Sequence, residues 1–201
     1  MSKIKLNHSG GNAVSLNPPT DAPASADVAL NLPATVGSNG KVLKVDGSSN
    51  LGWGGNLPAF AANKNSQQDF TGSEKVEFET EILDSDGCYD HSTNYRFTPT
   101  TAGWYFVYLS LTIQGTSSNT LKGAYGSIKK NGSVTICRGW GDPNDSYTEN
   151  RVNGCCSGIV QLNGSSDYIE GFGYGVVSGG GSARIDADVS NVMGGFLLMG
   201  I

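Results

Sequence analysis

The chain is poor in charge, in histidine and in long apolar runs, and each shortage removes a class of function. Charged residues make up 15% of it, and 18 acidic against 13 basic side chains leave a net charge of −5. No basic stripe exists; Lys129-Lys130 is the nearest approach and reads as a solvated pair at a hairpin edge. Nucleic-acid binding is not expected, because neutralising phosphates takes clustered Lys or Arg. No stretch approaches the roughly 20 apolar residues that cross a bilayer, so no membrane insertion is expected. The opening MSKIKLNHSGG has basic residues but no apolar core, and reads as no secretory signal.

The two histidines, His8 and His91, and the four cysteines offer little to a catalyst. His91 lies between Asp90 and Ser92, but chain neighbours do not make a triad, and no Gly-x-Ser-x-Gly elbow is present. Glu77, Glu79 and Glu81 alternate along one strand face and read as a solvated row, not as carboxylates facing each other across a cleft. Gly171-Phe172-Gly173-Tyr174-Gly175 lacks the strand-to-helix setting of a dinucleotide site. Cys88, Cys137, Cys155 and Cys156 have neither CxxC nor zinc-finger spacing and read as free thiols; a Cys88–Cys155 or Cys137–Cys155 bridge is the alternative. Asp84, Asp86, Asp90, Asp142 and Asp145 offer hard oxygens outside any EF-hand pattern, so no metal ligand is assigned. The expectation is a protein that is not an enzyme, with no cofactor and no metal.

What is abundant is glycine, 29 residues, with Ser, Thr and Asn, set between short apolar-aromatic runs. No Gly-X-Y period makes it collagen, and no segment has helical periodicity, so the patterns predict an all-β chain. The clearest run is Gly103–Gln114, where Tyr105, Val107, Leu109, Leu111 and Ile113 alternate with Phe106, Tyr108, Ser110 and Thr112. The first set is assigned to a core. Further strands are expected at Ala59–Asn63, Lys75–Phe78, Tyr95–Phe97, Lys122–Lys130, Ser133–Arg138, Arg151–Leu162, Tyr168–Val176 and Arg184–Leu198. Lys130-Asn131-Gly132-Ser133 and Leu162-Asn163-Gly164 are hairpin turns, and Gly179-Gly180-Gly181 is a loop tip.

The first 56 residues differ from the rest. They hold extended pieces at Lys3–Asn7, Asn12–Leu16 and Val28–Leu32, a proline-rich NPPTDAPASA, and a small hairpin within Gly37–Trp53. Such a segment buries too little to stand alone. The expected division is 1–56 as attachment or stalk and 57–201 as a β-sandwich head.

The head resembles the C1q/tumour-necrosis-factor-like superfamily of trimeric jelly rolls. The likeness rests on Pro58-Ala59-Phe60-Ala61-Ala62, on Val76-Glu77-Phe78, and on Tyr89-Asp90 followed by Phe97-Thr98-Pro99, Gly103 and Tyr105, with Val107 where the family prefers Phe. It continues through Lys130-Asn131-Gly132, through Leu162-Asn163-Gly164 with a displaced Asp167, and through Met193-Gly194-Gly195-Phe196-Leu197-Leu198. The N-terminal part is similar to modules of bacteriophage fibre and virion appendage proteins, on Val14–Pro19, Val28–Pro33 and Gly40–Trp53.

Both resemblances imply a homotrimer. Phe106, Tyr108, Tyr125, Phe172, Tyr174 and Phe196 are the candidate trimer interface. Ser85–Thr93, Trp140–Asn150 and Val177–Ser182 are the candidate distal loops. The middle one offers Trp140, Asp142, Asn144, Asp145 and Tyr147 to a host-surface glycan or protein, although Pro143 and Asn144 also suit a plain turn. Ile4, Leu6, Val14 and Leu16 are the candidate anchor to another virion protein. The implied function is a short trimeric tail fibre or fibre tip, made in the host cytoplasm and carried on the virion. A capsid-decorating, neck or baseplate protein is the alternative, and a secreted bacterial C1q-like lectin fits the N-terminal region less well.

Overall fold

The computed structural model describes residues 4–7, 10, 13–16, 31–37, 42–45, 48, 50–54, 57–117, 120–141 and 148–201. The chain divides into two compact units, Met1–Gly54 and Gly55–Ile201.

Among the described residues the first unit holds two hairpins. β1 (Ile4–Asn7) pairs antiparallel with β2 (Ala13–Leu16), Ile4 opposite Leu16 and Leu6 opposite Val14. β3 (Val42–Val45) pairs with β4 (Leu51–Gly54). Val28–Leu30 lie outside the described residues, and Asn31 forms a parallel bridge to Asn50. Trp53 donates from Nε1 to the Thr35 carbonyl at 2.7 Å, yet Val42, Leu43 and Val45 are exposed. A two-stranded ribbon has no second layer in which to bury them.

The second unit is a two-sheet sandwich. Its strands are β5 (Ala59–Lys64), β6 (Gln68–Phe70), β7 (Gly72–Lys75), β8 (Thr80–Asp84), β9 (Tyr89–Asp90), β10 (Arg96–Phe97) and β11 (Gly103–Gly115). They continue as β12 (Leu121–Lys130), β13 (Val134–Gly141), β14 (Arg151–Leu162), β15 (Ile169–Val177), β16 (Ala183–Ile185) and β17 (Asp188–Gly200). No α-helix occurs among the described residues; Ser178–Gly180 form a single 3-10 turn.

In the first sheet β11 pairs with β14 along its length, and its other edge meets β17 and then β16. β5 and β8 extend the sheet beyond β17, and β6 beyond β16. In the second sheet β12 lies between β13 and β15, and the far edge of β15 takes β10 and β7, with β9 outside β10.

The alternation read in β11 is observed: Tyr105, Val107, Leu109, Leu111 and Ile113 are buried in the core. Phe60 and Phe97 form an aromatic group with Tyr105, Phe60 stacked on Phe97 at 4.3 Å. The Tyr105 hydroxyl donates to the Thr101 carbonyl at 2.7 Å, and burial pushes its pKa up to about 12. The Lys130–Ser133 turn is tight, with Asn131 at φ 52° and Gly132 at φ 72°, the pair of positive angles that matches strand twist.

Two strand expectations are corrected. Val76-Glu77-Phe78 is extended but largely unpaired; Val76 N–H bonds Gly171 O at 2.9 Å, and Val76 and Phe78 fill the core. Arg184–Leu198 is two strands, not one. Asp186 and Ala187 separate them, and the buried Asn191, near the start of β17, accepts the Thr112 N–H at 2.7 Å and donates to the Asp186 carbonyl at 3.0 Å. Its amide stands in for a strand where the edge of β11 passes from β17 to β16, so a backbone donor in the sheet interior stays paired.

Candidate functional site

The two outer faces of the sandwich differ in chemistry. On the β14–β11–β17–β5 sheet, register places Ile159, Phe106, Phe196 and Ala59 in one row across four strands. Phe106 and Phe196 are 5.5 Å apart, while Ile159 is 58% and Phe196 44% exposed. Trp104 and Met199 are opposite each other in the neighbouring rank, and both are exposed. Tyr108 lies against Gly194, where a Cβ would meet its ring. Further along the same face the residues turn polar: Thr112 bonds Asn153 at 3.0 Å, and Ser110 contacts Cys155 at 3.4 Å.

The opposite outer face carries aromatic rings and cations. On β15 the glycines Gly171, Gly173 and Gly175 face inward against Phe78, Ile185 and Ala183, which turns Phe172 and Tyr174 outward. Tyr174 stacks on Tyr125 at 4.6 Å and 12°, and Trp140 leans on Tyr125 at 4.6 Å. Arg138 places its guanidinium 4.3 Å from the Tyr125 ring, and Lys129 its ammonium 3.8 Å from Phe172. Trp140 is 57% exposed at the top of the cluster. Ser127, opposite Arg138 and Phe172, is fully buried beneath them, and its hydroxyl has no hydrogen-bond partner.

The candidate trimer set is divided between these two faces. Phe106, Tyr108 and Phe196 belong to one outer face and Tyr125, Phe172 and Tyr174 to the other, because β11 and β17 lie in one sheet and β12 and β15 in the other. Arg138, Ser127 and Ile159 were not singled out from the sequence, and Lys129 was read only as part of a solvated pair. Arg138 precedes Trp140 by one strand repeat, which was the available signal. Nor is Lys129-Lys130 merely solvated: Lys130 pairs with Asp167 at 2.7 Å.

The candidate loops do not share one end. Thr116 N–H bonds Ser182 O at 3.1 Å, Ser178 N–H bonds Thr120 O at 2.7 Å, and Glu149 pairs with Leu121. These contacts bring Glu149, in the described part of the Trp140–Asn150 loop, and Val177–Ser182 to the Gly115 end of β11. Ser85–Thr93 sits at the Gly103 end, where Ser85 bonds Ala59 and where Ile201 bonds Ala102. Asp142, Asn144, Asp145 and Tyr147 lie outside the described residues. For Ile4, Leu6, Val14 and Leu16 only the backbone register is described.

A cleft of about 320 Å³ at the Gly103 end is lined by Gly87, Tyr89, Asp90, Asn94, Arg96 and Thr98, among others. Asp90 accepts bonds from Thr93 N–H at 2.8 Å and Asn94 Nδ2 at 2.7 Å, and these hold its carboxyl well below the usual range. It shapes a turn and is not poised as an acid.

The expected solvated row of glutamates is also corrected. Only Glu81 is in a regular strand, β8, where it contacts His91 at 3.4 Å. Glu79 pairs with the Lys64 ammonium, whose side chain is fully buried. Burial raises the Glu79 pKa, but bonds from Asn65 N–H, Lys64 and Ser66 outweigh it and bring the carboxyl below its usual value. Among the described residues no cluster of three or more His, Cys, Asp or Glu could hold a metal, and no helix is long and apolar enough to cross a membrane.

No protein-family model and no curated protein matches the chain. Solved structures do. The globular domain of zebrafish complement 1qA protein is 15% identical with a TM-score of 0.51, over 72% of this chain and 99% of that one. Eiger TNF from S. frugiperda is 8% identical with a TM-score of 0.53, over 71% and 93%. Murine APRIL at pH 5.0 is 11% identical with a TM-score of 0.50, over 71% and 99%. At these identities the likeness is one of fold: the second unit is a C1q/TNF-like jelly roll.

Proposed function

We propose that this chain is a short trimeric fibre or fibre-tip subunit of a bacteriophage virion, attaching the particle to host-surface glycan. The carrying observation is the division of chemistry between the outer faces. The apolar row of Ile159, Phe106 and Phe196 is the surface on which three copies associate, since burying exposed aromatic and aliphatic area is the main driving force for assembly. The Trp140–Tyr125–Tyr174 cluster stays outside. Flat rings stack on the apolar faces of pyranose rings, and Arg138 supplies hydrogen-bond donors to hydroxyl or carboxylate oxygens. Three identical platforms raise weak single-site affinity through effective concentration.

The virion reading rests on the fibre-like sequence of the N-terminal region. Val42, Leu43 and Val45 of its β3–β4 hairpin are exposed, an apolar surface that other copies or a neighbouring protein would bury. The β1–β2 hairpin carrying Ile4, Leu6, Val14 and Leu16 is the proposed anchor.

The test is light scattering of the full chain combined with binding to host cells. The expected result is a mass near three times 20.9 kDa and saturable binding that blocks infection. Trp140→Ala should keep the trimer and lose about tenfold or more in cell binding. A trimer that ignores cells but binds particles lacking it would replace attachment with capsid decoration. A stable monomer would overturn the assembly.

A further inference from the structure

The seam between β13 and β14 brings two cysteines together from opposite sheets. Cys137 lies opposite the buried Ile128, and Cys156 opposite the buried Leu109, so both side chains point into the sandwich. Their sulfurs are 3.0 Å apart. Cys155 projects to the other face of β14 and contacts Ser110, which rules out the Cys137–Cys155 and Cys88–Cys155 pairings read from the sequence.

This approach is unusual for a sandwich. Packed sheets stand about 10 Å apart, whereas a disulfide needs Cα atoms within roughly 4.4–6.8 Å. Glycines thin the seam. A Cβ at Gly139 would run into the Cys155 backbone, one at Gly154 into the Gly126 backbone, and one at Gly158 would come within 3.1 Å of Ile136. With no side chains between them the two edge strands close until the sulfurs touch. Both cysteines are half-buried, so the contact remains open to a small reagent.

We propose that Cys137 and Cys156 form a reversible disulfide that staples the two sheets at this seam, with a small-molecule disulfide such as oxidised glutathione as the oxidant. In the neutral pair the Cys137 S–H donates to Cys156. Cys137 is the thiol that ionises first, because Cys156 can then donate to its thiolate. The thiolate attacks one glutathione sulfur, breaks the glutathione S–S bond and releases one glutathione, which takes up a proton. Cys156 then loses its proton and attacks the Cys137 sulfur of the mixed disulfide, displacing the second glutathione. Two cysteines lose two electrons, and one glutathione disulfide becomes two thiols. The sulfurs need close by only about 1 Å to reach bonding distance. This site does not depend on the attachment function proposed above.

The full chain, reduced and then equilibrated in glutathione buffers of rising oxidised fraction, is quenched with acid and alkylated, and its thiols are counted by mass spectrometry. Two of the four cysteines should disappear together, and trypsin should yield Asn131–Arg138 joined to Val152–Arg184. Cys155→Ser should keep the bridge and Cys156→Ser should abolish it. Thermal unfolding of the oxidised chain should sit ~5–10 °C above the reduced one, and Cys137→Ala/Cys156→Ala should show no such difference. Four free thiols in native protein under excess oxidised glutathione would overturn the proposal. So would a bridge that survives Cys156→Ser, or one that forms only in denaturant.

Discussion

At the residue scale, the most consequential group is the buried Lys64 ammonium, which depends on Glu79. Removing one partner of a buried pair leaves a charge without compensation, which costs about 3 kcal/mol. Glu79→Gln is expected to lower stability by about that amount in urea titration, whereas Glu77→Gln, at an exposed position, should change little. The same pair sets an acid limit. The folded pKa of Glu79 lies below its usual 4.5, so its stabilisation is fully present above that value and fades as pH falls through the lower folded pKa. Wild type should therefore lose stability on acidification in that window more steeply than Glu79→Gln, as read by urea midpoints at stepped pH. Asn191 is the second such residue. Asn191→Ala would leave the part-buried Thr112 N–H, now bonded at 2.7 Å, unpaired. That costs about 2 kcal/mol, and the same denaturation series would detect it.

At the element scale, β11 is the centre of the head, with β14 on one edge and β17 and β16 on the other. Leu109→Ala in its middle should cost about 3 kcal/mol, since neighbours on both sheets cannot collapse into the void. The β13–β14 seam has the opposite requirement. Gly139→Ala is expected to destabilise by about 3 kcal/mol, because the added methyl meets strand backbone rather than a movable side chain. Gly52→Ala in β4, where a Cβ meets nothing within 4 Å, is the control, and thermal melts of the two variants decide the matter.

At the scale of the whole molecule, the apolar row on the first sheet, proposed above as the trimer surface, offers a test that separates folding from assembly. Ile159 is 58% exposed, so Ile159→Asp should leave the head folded by circular dichroism while light scattering moves to the monomer mass. If that variant stays trimeric, the association surface lies elsewhere. Removing the β1–β2 hairpin should leave the head folded and abolish incorporation into particles, measured by particle pull-down.

Alternation in the sequence by itself determined the all-β class and the core side of β11, because a strand repeats every two residues whatever lies beside it. The Asn-Gly turn was equally local: two adjacent positive φ angles require those residue types. The order of family-like motifs was enough to indicate the jelly roll. Which face each aromatic occupies was decided only by the tertiary structure. Phe172 and Tyr174 follow the same alternation as Tyr105 and Val107, yet glycines take the inner side of β15, since Phe78, Ile185 and Ala183 already fill that space from across the core. The Cys137–Cys156 contact and the Lys64–Glu79 pair belong to the same category. Their partners stand 19 and 15 residues apart in the chain, and only the packing of one sheet on the other, or the path of the chain between them, sets those distances.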